Sequence, residues 1–215
     1  MNTLRHRKGC SALAISATVL WGLSLPAFSL IEYTDAQRDT IVEIVEQLQD
    51  RHYAKLTYND TLSSEHLDSY INSLDRSKLF FMASDIAEFE QYRTVMDDQL
   101  GEGKLDAGFS IFNVYQKRLQ DRLEKVIKSL PETAAAMDFS VNESIPFEEK
   151  DLPWAKDTAE MDERWRKQLK NQVLNLKLAD KPADEIVPTL EKRYRSQLNS
   201  VPCPRYVSRR PSAVT

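Results

Sequence analysis

Two histidines are the first candidates for chemistry, because imidazole serves both as a metal ligand and as a proton carrier near neutral pH. Beyond the first 29 residues these are His52 and His66. They lie 14 residues apart with no cysteine beside either, so a zinc site would need carboxylates from distant helices. We therefore predict no metal site, with one histidine half-buried and the other on the surface.

Three glycines, Gly101, Gly103 and Gly108, have the spacing G-x-G-x-x-x-x-G. A nucleotide-binding glycine loop follows a strand and opens a helix, whereas these glycines follow a predicted helix. We therefore predict that they terminate helices. The sequence also contains no G-x-S-x-G nucleophile turn and no H-E-x-x-H zinc motif.

Charged clusters are the remaining candidates. Asp97 and Asp98 are adjacent on a predicted helix and so point about 100° apart, which prevents them from sharing one face. We interpret them, and the acidic run at 148–151, as solvated surface. The segment 163–167 (ERWRK) has two interpretations: a basic, aromatic contact patch, or, more simply, a core-facing Trp165 with solvated neighbours. We predict no catalytic, cofactor-binding or metal-binding residues.

The composition of the 215-residue chain favours helices. Glycine occurs five times, about a third of its usual frequency of about 7%, while apolar residues make up 41% and charged residues 29%. The formal net charge is −4, and without residues 1–29 it becomes −7, from 26 basic and 33 acidic residues. This charge argues against nucleic-acid binding, which requires clustered positive charge.

Residues 1–29 have the layout of a secretory signal peptide. Arg5, Arg7 and Lys8 precede an apolar run from Ala12 to Leu25, and small residues precede a predicted cut after Ser29. A membrane anchor is the alternative, but the run is shorter than the ~20 residues that span a bilayer. Cleavage would leave a periplasmic chain without a membrane span, its only cysteine Cys203.

Apolar residues at helical spacing predict an all-α fold, an irregular bundle of five to six helices. A long connector with three prolines lies at 131–155, because Pro131 is expected to stop the helix that precedes it. The predicted helices cover approximately 35–53, 64–75, 84–100, 106–130, 157–176 and 181–198, with Pro188 either kinking or starting the last. The predicted capping residues are Thr34 with Gln37, Ser64, Ser84 with Asp85, and Asp157 with Glu160.

The periodicity stops after Asn199. Residues 201–215 contain three arginines and no acid, and Pro202 and Pro204 exclude a helix. We predict three parts: a signal peptide at 1–29, a helical domain at 30–200, and a disordered or out-of-frame tail at 201–215.

Short words along the helical domain are similar to those of a known family. They are HY at 52–53, LDRSKLFFMASD at 74–85, GKLD at 103–106, YQKR at 115–118, LPW at 152–154, Trp165, LKL at 176–178 and RY at 193–194. In this order, over about 35–200, the chain resembles the N-terminal helical domain of bacterial tail-specific proteases, also called C-terminal processing peptidases.

This resemblance implies a periplasmic protein. Full-length family members continue into a PDZ domain, which grips a substrate's C-terminus by strand addition, and a serine protease domain with a Ser nucleophile and a Lys base. In the family, the helical segments form part of a bowl that shields the active site and contribute to docking on a lipoprotein adaptor. The implied partners are thus an adaptor and C-terminally recognised protein substrates.

The chain departs from the family pattern near Val201 and ends at Thr215, before any PDZ or catalytic motif. We therefore expect no peptidase activity from this polypeptide alone, as a truncated or split member of the family. A freestanding periplasmic module that docks an adaptor or the intact protease is the alternative. An unrelated enzyme with an unrecognised site is the third hypothesis, which no residue cluster supports.

Overall fold

The computed structural model describes residues 30–51, 58–145 and 152–200. Over these ranges the fold is all-α, as predicted, and the only extended pairing is a single bridge between Met82 and Ala155. The described residues form seven α-helices: α1 Asp35–Arg51, α2 Asp60–Leu74, α3 Ala83–Phe89, α4 Met96–Gly101, α5 Asp106–Ala135, α6 Thr158–Leu178 and α7 Ala183–Ser200, with a 3-10 turn at Glu90–Tyr92. None of the described helices is both long and apolar enough to span a membrane.

Two of the predicted capping arrangements form. Thr34 Oγ1 accepts a hydrogen bond from the Gln37 amide at 3.3 Å, and Gln37 Oε1 accepts one from the Thr34 amide at 2.9 Å. Asp157 caps α6 by accepting from the Glu160 amide at 2.8 Å. Both are local side-chain-to-backbone bonds that sequence spacing alone specifies.

Two other caps differ from the prediction. Asn59, not Ser64, caps α2, because its side chain accepts from the amides of Thr61 and Leu62 at 3.2 Å. Ser64 lies inside the helix, one turn later. At α3 the cap position is Met82, whose amide donates to Asp85 Oδ2 at 2.8 Å.

The predicted third helix at 84–100 is divided in two. A 3-10 turn and a short break separate α3 from α4, and the amide of Met96 donates to the buried Ser63 Oγ at 3.1 Å. A hydrogen bond to α2 thus fixes the residue at which α4 begins, and local sequence spacing does not encode this contact. Gly101 ends α4 as predicted, whereas Gly108 lies inside α5, so its predicted terminating role is wrong.

Proline ends neither long helix. α5 passes through Pro131 to Ala135, so the predicted stop at Leu130 is wrong, and α7 contains Pro188. Proline removes one donor and disturbs the preceding turn, at a cost of about 3 kcal/mol. At both sites fully buried leucines flank the proline, Leu130 and Leu190, and their packing favours the helical path.

The core has two parts, which α5 connects. One lies between the second half of α5, α6 and α7, and the other joins α2, α3, α4 and the start of α5. The apolar run at 79–82 inserts between them, with Phe81 fully buried. Phe81 lies 5.3 Å from Phe89 and 5.7 Å from Tyr115, ring centre to ring centre. The proline-rich connector packs here through Trp154, 6.1 Å from Phe81.

α1 packs on this second part of the core through one edge only. Val45 is buried, and Ile41 and Val42 are half-buried. Gly103 approaches α1 so closely that a Cβ there would lie 2.7 Å from Arg38 Cγ and 3.0 Å from Val42 Cγ2, and its φ is +74°. Glycine therefore sets how closely the turn after α4 approaches α1.

Candidate functional site

The structure separates most of the residues that the sequence singled out for chemistry. His52 and the acidic run at 148–151 lie outside the described residues. His66 is on α2, while Asp97 and Asp98 are on α4. The part of the chain that the structure describes contains no group of three or more His, Cys, Asp or Glu side chains able to hold a metal ion.

Asp97 is not the solvated residue that we expected. Asp98 is exposed, but Asp97 is half-buried, and its Oδ1 is buried with no hydrogen-bond partner among the described residues. The reason is that α4 packs on both α1 and α2, which leaves one of the two adjacent carboxylates facing these neighbours.

The segment 163–167 is partly as predicted. Trp165 faces the core, and its Nε1–H donates to the Leu79 carbonyl at 2.7 Å. Arg164, expected in solvent, instead has a side chain only 11% exposed, and it donates to the Pro153 carbonyl at 2.7 Å and to Glu160 at 2.5 Å. Its guanidinium thus fastens the end of the connector to α6 rather than forming a free basic patch.

An apolar groove lies between α1 and α2, with α4 at its floor. We call it the α1–α2 groove. It consists of two adjoining cavities of about 410 and 220 Å³, which share Ile41, His66 and Leu100. The larger cavity is also lined by Ile44, Val45, Leu48, Gln49, Tyr58, Leu62, Glu65 and Ser69, and the smaller by Tyr70, Met96, Gln99, Lys104, Leu105, Ala107, Gly108 and Phe109.

The α1 wall of the groove exposes two large aliphatic side chains. Ile44 is 46% exposed and Leu48 is 49% exposed, although both belong to the same apolar stripe as the buried Val45. An aliphatic stripe on a helix is normally covered in the folded protein. Half of this stripe is uncovered, which is typical of a surface that contacts another polypeptide.

His66 provides the central polar group of the groove. Its Nδ1 lies 2.5 Å from the hydroxyl oxygen of Tyr58. Desolvation lowers the pKa of His66 below its ordinary value of 6.5, so the imidazole is neutral at pH 7. Burial, and to a lesser extent the charge of Asp97, raises the pKa of Tyr58 to about 12, so its hydroxyl stays protonated.

Hydrogen bonds to neighbouring elements hold the α2 wall in place. Ser63, fully buried, accepts from the Met96 amide, and the Tyr70 hydroxyl donates to the Gly108 carbonyl of α5 at 3.1 Å. Arg93 donates to Ser64 Oγ at 2.8 Å and to Asp68 at 3.0 Å. The groove is therefore built on a rigid support, with apolar walls and few polar groups.

A second surface lies where residues 139–145 cross α6. Glu143 accepts from Arg166 at 2.6 Å and from Lys170 at 2.8 Å, and these two cations lower its pKa to about 2. The ammonium group of Lys177 lies 4.1 Å from the centre of the Phe139 ring. Ion pairs therefore connect this part of the connector to α6, and Phe139 also packs against the core.

Sequence reasoning missed the groove and one structural residue. The spacing of Ile41, Ile44, Val45 and Leu48 identifies an apolar face but does not tell whether a neighbour covers it. The missed residue is Asp75, which is buried and organises the turn after α2. Its signal was the unusual position of an acidic residue between two apolar runs.

Comparison with known proteins gives a consistent result. A family model described as the tail specific protease N-terminal domain matches residues 44–203. The chain is also similar to the tail-specific protease of Haemophilus influenzae (strain Rd), with 32% identity over 173 residues. That alignment covers 80% of this chain but only 24% of the relative, so the chain spans about a quarter of the length of the protein it matches.

Proposed function

Since this chain belongs to the family of tail-specific protease N-terminal domains, we propose that it is the shielding and docking domain of a periplasmic tail-specific serine endopeptidase. In this role it contacts other polypeptides and performs no chemistry itself. Its partners are protein substrates recognised at their C-termini and a lipoprotein adaptor, and it acts without a cofactor.

One observation carries this proposal: the similarity to a full-length tail-specific protease covers most of this chain but only a quarter of the relative. The side chains that the groove presents are consistent with a contact role. Aliphatic residues dominate its walls, and the neutral His66 is engaged with Tyr58 rather than with a nucleophile. Within the described ranges, Arg164, Arg166 and Lys170 of α6 bond to the connector.

Peptidase activity provides the direct test. The purified full chain is incubated with an unfolded protein that ends in apolar residues, and the H. influenzae tail-specific protease serves as the positive control. We expect cleavage by the relative and none by this chain. Cleavage by this chain that a serine-directed inhibitor stops would overturn the proposed inactivity.

Location is tested separately. The chain is expressed in a Gram-negative host, the periplasm is released by osmotic shock, and the N-terminus of the recovered chain is sequenced. We expect cleavage after Ser29, so the chain recovered from the periplasm should begin at Leu30. A chain that keeps Met1 and stays in the cytoplasmic fraction would contradict the periplasmic assignment.

A freestanding binding module is the second candidate, and the uncovered α1 stripe favours it. Such a module would dock an adaptor or the intact protease and would change the protease's activity in trans. Adding the full chain to the relative in the cleavage assay distinguishes the two: a saturable change in rate supports the module, and an unchanged rate supports a domain that acts only within its own protease.

A further inference from the structure

The α1–α2 groove has a chemical preference beyond its apolar walls, because its surroundings are acidic. The exposed Glu65 lines the larger cavity, and α1, which forms one wall, has more acidic than basic residues. Among the described residues, Glu65 has no cation within 4.0 Å. Lys104, the lysine of the smaller cavity, is already paired with Glu102 at 2.5 Å.

We propose that the α1–α2 groove binds the apolar face of a basic amphipathic helix from a protein partner. The inference names the docking surface that the proposed function requires, and so rests on it. The wall from Ile41 to Leu48 extends about 10 Å, or two helical turns. The two adjoining cavities fit anchors spaced at i, i+3 or i+4, and i+7 on the incoming helix. Lysine or arginine on its flanks would then face Glu65 and the acidic residues of α1.

Charge argues against a second copy of this chain as the occupant. α1 itself carries five acidic and two basic residues, so seating another α1 in the groove would bring like charges together. The same charge disfavours an anionic lipid surface, which attracts basic helices rather than acidic ones. A basic amphipathic helix matches the groove in both respects, because its apolar face contacts the apolar walls and its cations face the surrounding acidic residues.

The test uses two labelled peptides of about 14 residues, or four helical turns. Both carry leucine at i, i+3, i+4 and i+7, and they differ only in having lysine or glutamate at the flanking positions. Fluorescence anisotropy against the full chain at pH 7.5 measures their affinities. We expect the lysine peptide to bind at least about ten-fold more tightly, with a salt dependence that the glutamate peptide lacks.

Matched variants locate the binding site. The double variant Ile44→Ser/Leu48→Ser should weaken binding of the lysine peptide about ten-fold or more, since both side chains are exposed and their replacement leaves the core intact. Leu178→Ser is the control, because Leu178 is 73% exposed on α6, away from the groove.

Glu65→Gln tests the role of charge. It should weaken binding of the lysine peptide alone, by about three-fold, and reduce the salt dependence of that binding. Circular dichroism confirms that each variant is folded.

Several outcomes would overturn the inference: equal affinity for both peptides, no binding of either, or an equal loss of binding in Leu178→Ser. Self-association in analytical ultracentrifugation that Ile44→Ser/Leu48→Ser abolishes would identify a second copy as the occupant instead. None of these results depends on the cleavage or localisation assays, so failure here is distinguishable from failure of the proposed function.

Discussion

The carboxylate of Asp75 accepts the backbone amide of Phe81 at 2.8 Å, across six residues of chain. It also accepts the amides of Leu79 at 2.9 Å and Phe80 at 2.8 Å, while being 2% exposed. One buried side chain thus satisfies three backbone donors and directs Phe81 into the core. The charge-assisted bonds explain how an acidic residue is accommodated there.

Replacing Asp75 should therefore destabilise the fold strongly. Asp75→Ala leaves three amides without their acceptor, and we expect a loss of about 3 kcal/mol in the free energy of unfolding. Urea denaturation followed by circular dichroism measures it. Asp98→Ala, at an exposed position, is the control and should change stability by less than about 0.5 kcal/mol. Equal effects of the two variants would refute this account of the turn.

Gly103 supplies a second stability prediction. Gly103→Ala introduces a side chain at φ +74° and 2.7 Å from Arg38 Cγ, so we expect a loss of about 1–3 kcal/mol. Gly101→Ala is the matched control, because a Cβ there meets nothing within 4 Å. In the background of Arg38→Ala, Gly103→Ala should lower the free energy of unfolding by less. The reason is that Arg38→Ala removes the Cγ atom that the new methyl group would contact, whereas the strain at φ +74° remains. The same urea titration measures all four variants.

Local hydrogen bonding and helical periodicity were readable from the sequence. The stripe Met161, Trp165, Leu169 and Val173 is buried as its spacing predicts, and Asp157 begins α6 where its capping pattern indicates. These features depend on residues within one or two turns. The family resemblance, rather than any local pattern, indicated the class of function.

Features that depend on tertiary contacts could not be read in the same way. Ser63 starts α4 from a different helix, and buried leucines keep α5 and α7 helical through proline. The groove is the clearest example, because Ile44 and Val45 have equivalent sequence patterns but only Val45 is covered. Coverage depends on which element packs against the stripe, and the local sequence does not contain that information.

His66 should make the stability of the chain depend on pH. Its pKa is lowered in the folded state by desolvation, so the unfolded chain binds the proton more readily. The stabilising contribution of the neutral imidazole is present above the unfolded value of about 6.5 and is lost as pH falls below it. We expect the stability difference between the wild type and His66→Gln to shrink from pH 7.5 to pH 5.

Chemical denaturation at several pH values measures this difference, and NMR of the imidazole gives the folded-state pKa directly. Tyr58→Phe is the companion variant. It removes the hydroxyl 2.5 Å from Nδ1 but keeps the ring that contributes to desolvation, so the folded-state pKa should stay below 6.5. A His66 that titrates above 6.5 in the wild type would contradict the assigned cause.

Glu143 should act as the fastening of the 139–145 segment to α6. Its pKa is lowered to about 2 by Arg166 and Lys170, so its contribution is present above the unfolded value of about 4.3 and is lost as pH falls toward 2. Glu143→Gln should increase hydrogen exchange of the amides at 139–145 at pH 7 without lowering the global midpoint of unfolding, because only the exposed segment is released. Glu163→Gln is the matched control, since Glu163 also pairs with Arg166 but lies within α6 itself, and it should leave exchange at 139–145 unchanged. High salt should reproduce part of the Glu143→Gln effect, because it screens the ion pairs of Glu143 with Arg166 and Lys170.

If Glu143→Gln leaves hydrogen exchange at 139–145 unaltered, the apolar contacts of Phe139, rather than charge, hold the segment in place.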